Sequence, residues 1–385
     1  MPPNLPQFVN NMNKLYSLVT LAVVSVVGAA VAVETDPVGF STVTAPANSD
    51  LSVTLPLHRS TAFQGAVTGV SGNVISLNAT FTASQFVYAS PGQINTYYVS
   101  VRSTVSLSSA VKGKWFSIVS NTTSSVTVDP DGPSSVETQG LVVGDTIEII
   151  PFWTLNTLFP NGQGLTITTD IDSPQDLIFT LPQNVAGINL QASLSFLYCD
   201  DPVNLGTPGW YAAGTFTSTS PGGVSWADYP LAPDTFIRFR NRGAATTLTL
   251  TGAVPTSDVA TVIARLASNQ QQDNFVVNPF PVAISLPETG LFESGAFQVT
   301  TDIDSPKDLL LVFDGTETGF NSQPSKIYLY CDDPANLPQA GWYASGTFAG
   351  PYGSTSKLIP AGAALVVRKA AGPVASTSWK MGKPY

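Results

Sequence analysis

The chain is poor in the residues that carry most enzyme chemistry. Its 385 residues include one histidine, His58, and two cysteines, Cys199 and Cys331. A Ser-His-Asp triad would have to draw on that single imidazole. No Gly-x-Ser-x-Gly turn frames a nucleophile, and histidine-based zinc sites need more ligands than are present. His58 therefore reads as a loop residue beside Arg59. Charge is scarce as well: Asp, Glu, Lys and Arg make up 11% of the chain, against about a quarter in ordinary soluble domains. A net charge of −10 makes nucleic acid and anionic membranes poor partners. Beyond the N-terminus no apolar run is long enough to cross a bilayer. No long charged or low-complexity tract marks disorder.

The one long apolar run, Leu15 to Ala32, follows Lys14 and ends in Ala30-Val31-Ala32. A charged start, an apolar middle and a small-residue end form the pattern of a secretory signal. Residues 1–32 are read as a signal peptide, with Met12 as an alternative start and Val33 as the mature N-terminus. The expected location is secreted, periplasmic or cell-surface, with no transmembrane segment after cleavage.

The rest reads as all-β. Stretches rich in Val, Ile, Thr and aromatics alternate with Gly, Pro, Asn and Ser clusters. Asp50 to Leu55 alternates polar and apolar. In Thr146–Ile150 the same alternation turns Thr146 and Glu148 away from Ile147 and Ile149. Ser257–Leu266 is the only helix candidate, although Val259, Thr261, Val262 and Ile263 also fit a strand.

Much of the chain occurs twice. Thr169-Asp170-Ile171-Asp172-Ser173-Pro174 with Asp176 returns as Thr301-Asp302-Ile303-Asp304-Ser305-Pro306 with Asp308. Tyr198-Cys199-Asp200-Asp201-Pro202 with Asn204 returns as Tyr330-Cys331-Asp332-Asp333-Pro334 with Asn336. Gly209-Trp210-Tyr211-Ala212 returns as Gly341-Trp342-Tyr343-Ala344. All three recur at one offset, 132 residues, which marks a duplicated folding unit. The expected organisation is an N-terminal β domain over 33–144, repeat copy one over 145–272 and copy two over 273–385, built as tandem antiparallel sandwiches. Asp50 to Leu57 also echoes Asp273 to Phe280.

The repeated acids allow three readings. Asp170, Asp172, Asp176, Asp200 and Asp201, repeated as Asp302, Asp304, Asp308, Asp332 and Asp333, would give one calcium site per module if their two loops meet. The alternative is turn chemistry, in which Asp and Asn bond their own backbone. A carboxylate pair of this kind also serves glycan hydrolases. Adjacent strand residues point to opposite faces, so one of Trp210 and Tyr211, and one of Trp342 and Tyr343, is expected outside as a surface for a sugar or a protein. Cys199 and Cys331 occupy equivalent positions. They are either buried free thiols or a disulfide, within the chain or between chains.

Asp36-Pro37-Val38-Gly39-Phe40, Gly144-Asp145 through Trp153-Thr154-Leu155 with Phe159-Pro160, Gly209-Trp210-Tyr211, and Leu358 to Arg368 with its Pro360-Ala361-Gly362 turn resemble a verrucomicrobial family of secreted, paralogous proteins of unknown function. The resemblance implies export and brings no catalytic residue or ligand with it. The sequence reading is a secreted cell-envelope or extracellular structural or interaction protein without catalytic activity, whose partner is an envelope protein or a glycan. A carbohydrate-binding protein, calcium-assisted or not, is the alternative, and a glycan hydrolase the second alternative.

Overall fold

Strand-forming sequence dominates, and a computed structural model of the chain is 39% strand and 4% helix. It describes residues 36–87, 96–107, 109–130, 132–220, 225–316 and 318–385. The signal segment and the expected cleavage before Val33 lie outside the described residues.

The chain opens with β1 (Val38–Ala45) and β2 (Ser49–Thr54), then enters a barrel. That barrel is closed by β3 (Phe63–Ser71), β4 (Val74–Leu77), β5 (Tyr97–Ser103), β6 (Trp115–Asn121), β7 (Ser125–Val128) and β8 (Thr146–Pro151) in the order β3-β4-β7-β6-β5-β8. Its inward residues, among them Val67, Ile75, Val99, Phe116, Ile118, Ile147 and Ile149, form one core. β9 (Trp153–Thr154) and a short helix α1 (Leu155–Leu158) follow, the helix started by a reciprocal Thr154–Thr157 capping box. Then come β10 (Leu177–Thr180), β11 (Leu194–Cys199), β12 (Gly209–Ala212), β13 (Pro230–Leu231), β14 (Phe236–Asn241) and β15 (Thr246–Ala253). The last stretch holds β16 (Val259–Arg265), β17 (Gln272–Val277), β18 (Leu309–Phe313), β19 (Lys326–Cys331), β20 (Gly341–Ala344), β21 (Ala364–Lys369) and β22 (Ala375–Met381).

Two five-stranded antiparallel sheets have matching orders, β12-β11-β10-β14-β2 and β20-β19-β18-β21-β17. Each has its own two-stranded layer, β1–β15 and β16–β22. Registers match too: Tyr198 faces Trp210 and Cys199 faces Gly209, as Tyr330 faces Trp342 and Cys331 faces Gly341. The all-β sandwich with an internal duplication is thus the observed fold, but its boundaries differ from those expected. Thr146–Pro151, read as the opening of copy one, is the last strand of the barrel. Copy one opens with β1 and β2, which the sequence division left in the N-terminal domain. Its edge strand β2 pairs with β14 far down the chain, Leu51 opposite Phe239. The barrel is an insertion between β2 and β9. In copy two the corresponding link runs directly from Val277 to Ile284. Ser257–Leu266 resolves as strand β16.

The two large sheets pack face to face. Phe236 lies 6.0 Å from Phe275 and 6.4 Å from Phe313, ring centre to ring centre, and the Arg238 guanidinium stacks 5.3 Å from Phe313. At the margin each module grips the other. Arg240 forms a bidentate pair with Asp50 (2.7 and 2.8 Å), and the loop after β18 closes over it. Asn321 N donates to Asp50 Oδ2 (2.7 Å), Arg240 Nη2 to Asn321 Oδ1 (2.9 Å), and Asp50 N to the Gly319 carbonyl (3.0 Å). The loop after β10 repeats this on Arg368 and Asp273. Asn189 N donates to Asp273 Oδ2 (2.8 Å), Arg368 Nη2 to Asn189 Oδ1 (2.8 Å), and Asp273 N to the Gly187 carbonyl (2.9 Å). Asn189 and Asn321 both take left-handed backbone angles, φ 52° and 55°, which asparagine tolerates better than most residues. Such reciprocal contacts are the signature of a twofold interface, here built within one chain.

Candidate functional site

The repeated acids go to the backbone. Asp176 accepts from Thr166 N and Arg242 N, both at 2.7 Å, and Asp308 from Gln298 N (2.7 Å) and Ala370 N (2.8 Å). Lys369 also pairs with Asp308. Asp201 accepts from Ile171 N (3.2 Å), Val203 N and Asn204 N (both 3.1 Å) and Asn204 Nδ2 (2.8 Å). Asp333 accepts from Ile303 N and Ala335 N (both 3.1 Å) and Asn336 Nδ2 (2.9 Å). The Asn204 and Asn336 amides, aided by these N–H groups, hold the two carboxyls below the usual aspartate range. Asp170 and Asp302 turn back on the amides of Asp172 and Asp304, each at 2.9 Å. Asp172, Asp200, Asp304 and Asp332 are exposed. The two loops of each module do meet, but through Asp201–Ile171 and Asp333–Ile303 hydrogen bonds. Among the described residues no group of three or more His, Cys, Asp or Glu side chains is placed to hold a metal. Of the ten aspartates expected to form calcium sites, Asp170, Asp176, Asp201, Asp302, Asp308 and Asp333 are engaged in turn and strand-end bonds, and the structure gathers no three of the ten around a common point.

The aromatic surface is corrected as well. Trp210 and Tyr211 do point to opposite faces of β12, but both faces are covered. Trp210 enters the sandwich core with Phe159, Phe196 and Phe239, while Tyr211 packs with Leu197 and Cys199. Trp342 and Tyr343 repeat this, each 1% exposed. The Tyr211 and Tyr343 hydroxyls donate to the Thr207 and Gln339 carbonyls, at 2.6 and 2.7 Å. Cys199 and Cys331 are free thiols with no exposure, each under the loops of its own sheet, so the disulfide expectation falls. Burial, then the neighbouring Asp201 or Asp333 charge, pushes both thiols up.

The joint between barrel and modules holds two acids that the sequence reading passed over. Glu148, His58, Tyr98, Trp115 and Asp234 line a cavity of about 70 Å³. Glu148 does face away from Ile147, but the outside of the barrel is itself covered at this point. It pairs with Arg102 at 2.5 Å, and burial pushes its carboxyl up. Asp234 accepts from Thr261 Oγ1 (2.7 Å), and loss of solvent pushes it up too. His58 Nδ1 lies 2.8 Å from the Arg59 carbonyl. The signal was an acid set within an apolar strand, Thr146-Ile147-Glu148-Ile149-Ile150. With Glu148, Asp234 and His58 in its walls, this space has the room and the polar partners to hold ordered water.

The large concavity lies elsewhere. A groove of about 570 Å³ runs beneath β1–β15, over β2 and α1, and is closed at one side by Phe313–Gly315 and Pro360–Ala363 of the second module. Val43, Leu51, Val53, Leu158 and Leu248 give it apolar walls, Trp153 lies at its margin, and threonines 42, 54, 157, 247, 249 and 251 contribute around it. The Trp153 indole N–H is bonded to the Leu57 carbonyl at 2.8 Å, which fixes its ring. Among the groove's described lining residues Asp314 is the one ionisable side chain. Despite partial burial, Thr316 hydroxyl and amide bonds hold its carboxyl below the usual range. The volume falls within the roughly 300–1,000 Å³ of ligand sites. No family description, curated protein or solved structure matches this chain.

Proposed function

We propose that the mature chain is an exported, non-catalytic interaction protein of the cell envelope or extracellular space, and that the groove beneath β1–β15 receives its partner. The observation that carries this is chemical: among its described lining residues this groove is uncharged apart from one carboxylate engaged with its own loop, and it is walled by aliphatic side chains and threonines. Such walls bind and exclude water, but they offer no acid–base pair or nucleophile. The most strongly repeated side chains are spent on turns, strand ends and core packing, which fits a scaffold. The signal-like N-terminus and the resemblance to a secreted family support export.

The test uses purified mature protein and a variant with its groove filled, Leu250→Trp. Native cell fractions should yield the wild type in the envelope or medium together with bound material, and the variant without it. Retention of the same material by Leu250→Trp would remove the groove from the reading. Release of reducing ends from glycans by the pure protein would overturn the non-catalytic assignment.

A further inference from the structure

The duplication provides an internal control for the groove. In the second module the outer strand β16 has its free edge closed. Ala260 N donates to the Gly113 carbonyl of the barrel (2.8 Å), Ala264 N to Asn274 Oδ1 (2.8 Å), and Asn274 Nδ2 returns a bond to the Ala264 carbonyl (3.0 Å). Beneath that strand the interior is filled by Ile263, Trp379 and Met381. In the first module the position of Asn274 is held by Leu51, which has no amide to give. The inward positions of β1–β15 carry Ser41, Val43, Leu248 and Leu250, which are smaller than Trp379.

The edge of β1 follows from its register. Val254 N bonds the Pro37 carbonyl, and Ala253 exchanges bonds with His58 on the far side of β15. Hydrogen bonding alternates along an antiparallel pair, so Phe40, Thr42 and Thr44 turn their backbone groups away from β15. Among the described residues those groups meet no backbone partner. The strand Val38–Ala45 contains no charge and no proline, the features that usually guard an edge. Val38 and Phe40 stand 74% and 76% exposed.

We infer that the groove binds an extended, uncharged peptide segment that adds as a strand to the free edge of β1 and places alternate apolar side chains in the space under the β1–β15 layer. This rests on the reading of the groove as the partner site and specifies its ligand. Main-chain bonds supply affinity and the pockets for alternate side chains supply selectivity. Apart from Asp314, whose carboxylate is engaged with its own loop, the described walls carry no charge, which selects against charged segments, whose desolvation would go unrepaid. The second module shows what fits such a space: an amide on the strand edge and large apolar side chains beneath.

The probe is a capped synthetic peptide, Thr-Thr-Leu-Thr-Leu-Thr-Gly-Ala, patterned on β15. Binding to the full mature chain is followed by calorimetry and by hydrogen exchange. The peptide should bind, and exchange at Phe40, Thr42 and Thr44 should slow at least tenfold. A version with both leucines replaced by lysine should bind at least tenfold more weakly. Thr42→Pro removes an N–H that no strand among the described residues uses, so the fold should survive while affinity falls at least tenfold; Leu250→Trp should do the same by filling the space. Unchanged binding by Thr42→Pro, unchanged exchange at the three amides, or no binding at millimolar peptide overturns strand addition. If cellohexaose binds instead and Leu250→Trp abolishes that, the groove is a partner site but not for peptide. If neither probe binds and Leu250→Trp retains all native material, the groove reading fails as well.

Discussion

Asp176 and Asp308 hold equivalent places with unequal partners. Each accepts two backbone amides, but only Asp308 also meets a lysine, Lys369, and both members of that pair are largely buried. Removing one partner of a buried ion pair costs about 3–5 kcal/mol, whereas stranding buried amides costs about 1–3 kcal/mol per group. In urea unfolding Asp308→Ala should therefore lose more stability than Asp176→Ala, and equal losses would show that Lys369 is indifferent to its partner. The thiols give a second expectation. Cys199 and Cys331 have no exposure, and the thiolate is the reactive species. A thiol reagent should find neither in the native protein and both after denaturation, and the melting temperature should be insensitive to reductant. A reductant-dependent shift would reinstate a bridge.

The loops after β10 and β18 hold the two sandwiches together. Asn189 and Asn321 each reach across to the other module's arginine, and each takes a positive φ. Alanine at either position loses the hydrogen bond and strains the backbone. Glycine loses the bond alone. Asn321→Ala and Asn189→Ala should each cost about 1 kcal/mol or more, with the glycine variants milder. The two clasps share no partner, so the double variant should lose the sum. Thermal unfolding of the four single variants and the double checks this, and a large effect from only one loop would contradict the reciprocal interface.

The barrel is joined to the duplicated body through contacts such as Lys112–Asp258 (2.8 Å) and Ala260 N to the Gly113 carbonyl, with Asp234 desolvated beside Tyr98, Trp115 and Thr261. An unfolded aspartate ionises near pH 3.9, and Asp234 in the fold ionises higher. Between those values the folded chain keeps a proton that the unfolded chain has released. The contribution of Asp234 is thus fully present below about pH 4 and is lost as pH rises through its folded value. Asp234→Asn should accordingly melt higher than the wild type at pH 7, with the difference vanishing below about pH 4. A variant that melts lower at pH 7 would mean that the charged carboxylate has a stabilising partner in the joint.

Composition and spacing alone determined that the chain is all-β, that one unit occurs twice, and that the Asp-rich blocks are competent turns. These are properties of side-chain alternation and of residues bonding their own neighbours. The resemblance of Asp50–Leu57 to Asp273–Phe280 was also visible, but not that it marks one edge strand used twice. That needs β2 to pair with β14 across the whole inserted barrel, a contact between residues 190 apart at Asp50 and Arg240. The same limit hid the fate of the aromatics: alternation puts Tyr211 opposite Trp210, but only the loops packed above decide that both faces are dry. The exchange of Asn274 for Leu51 was legible as letters. Its consequence, a strand edge left open among the described residues over a groove, exists only once the two sandwiches are folded, because an edge is defined by the neighbour a strand lacks in space.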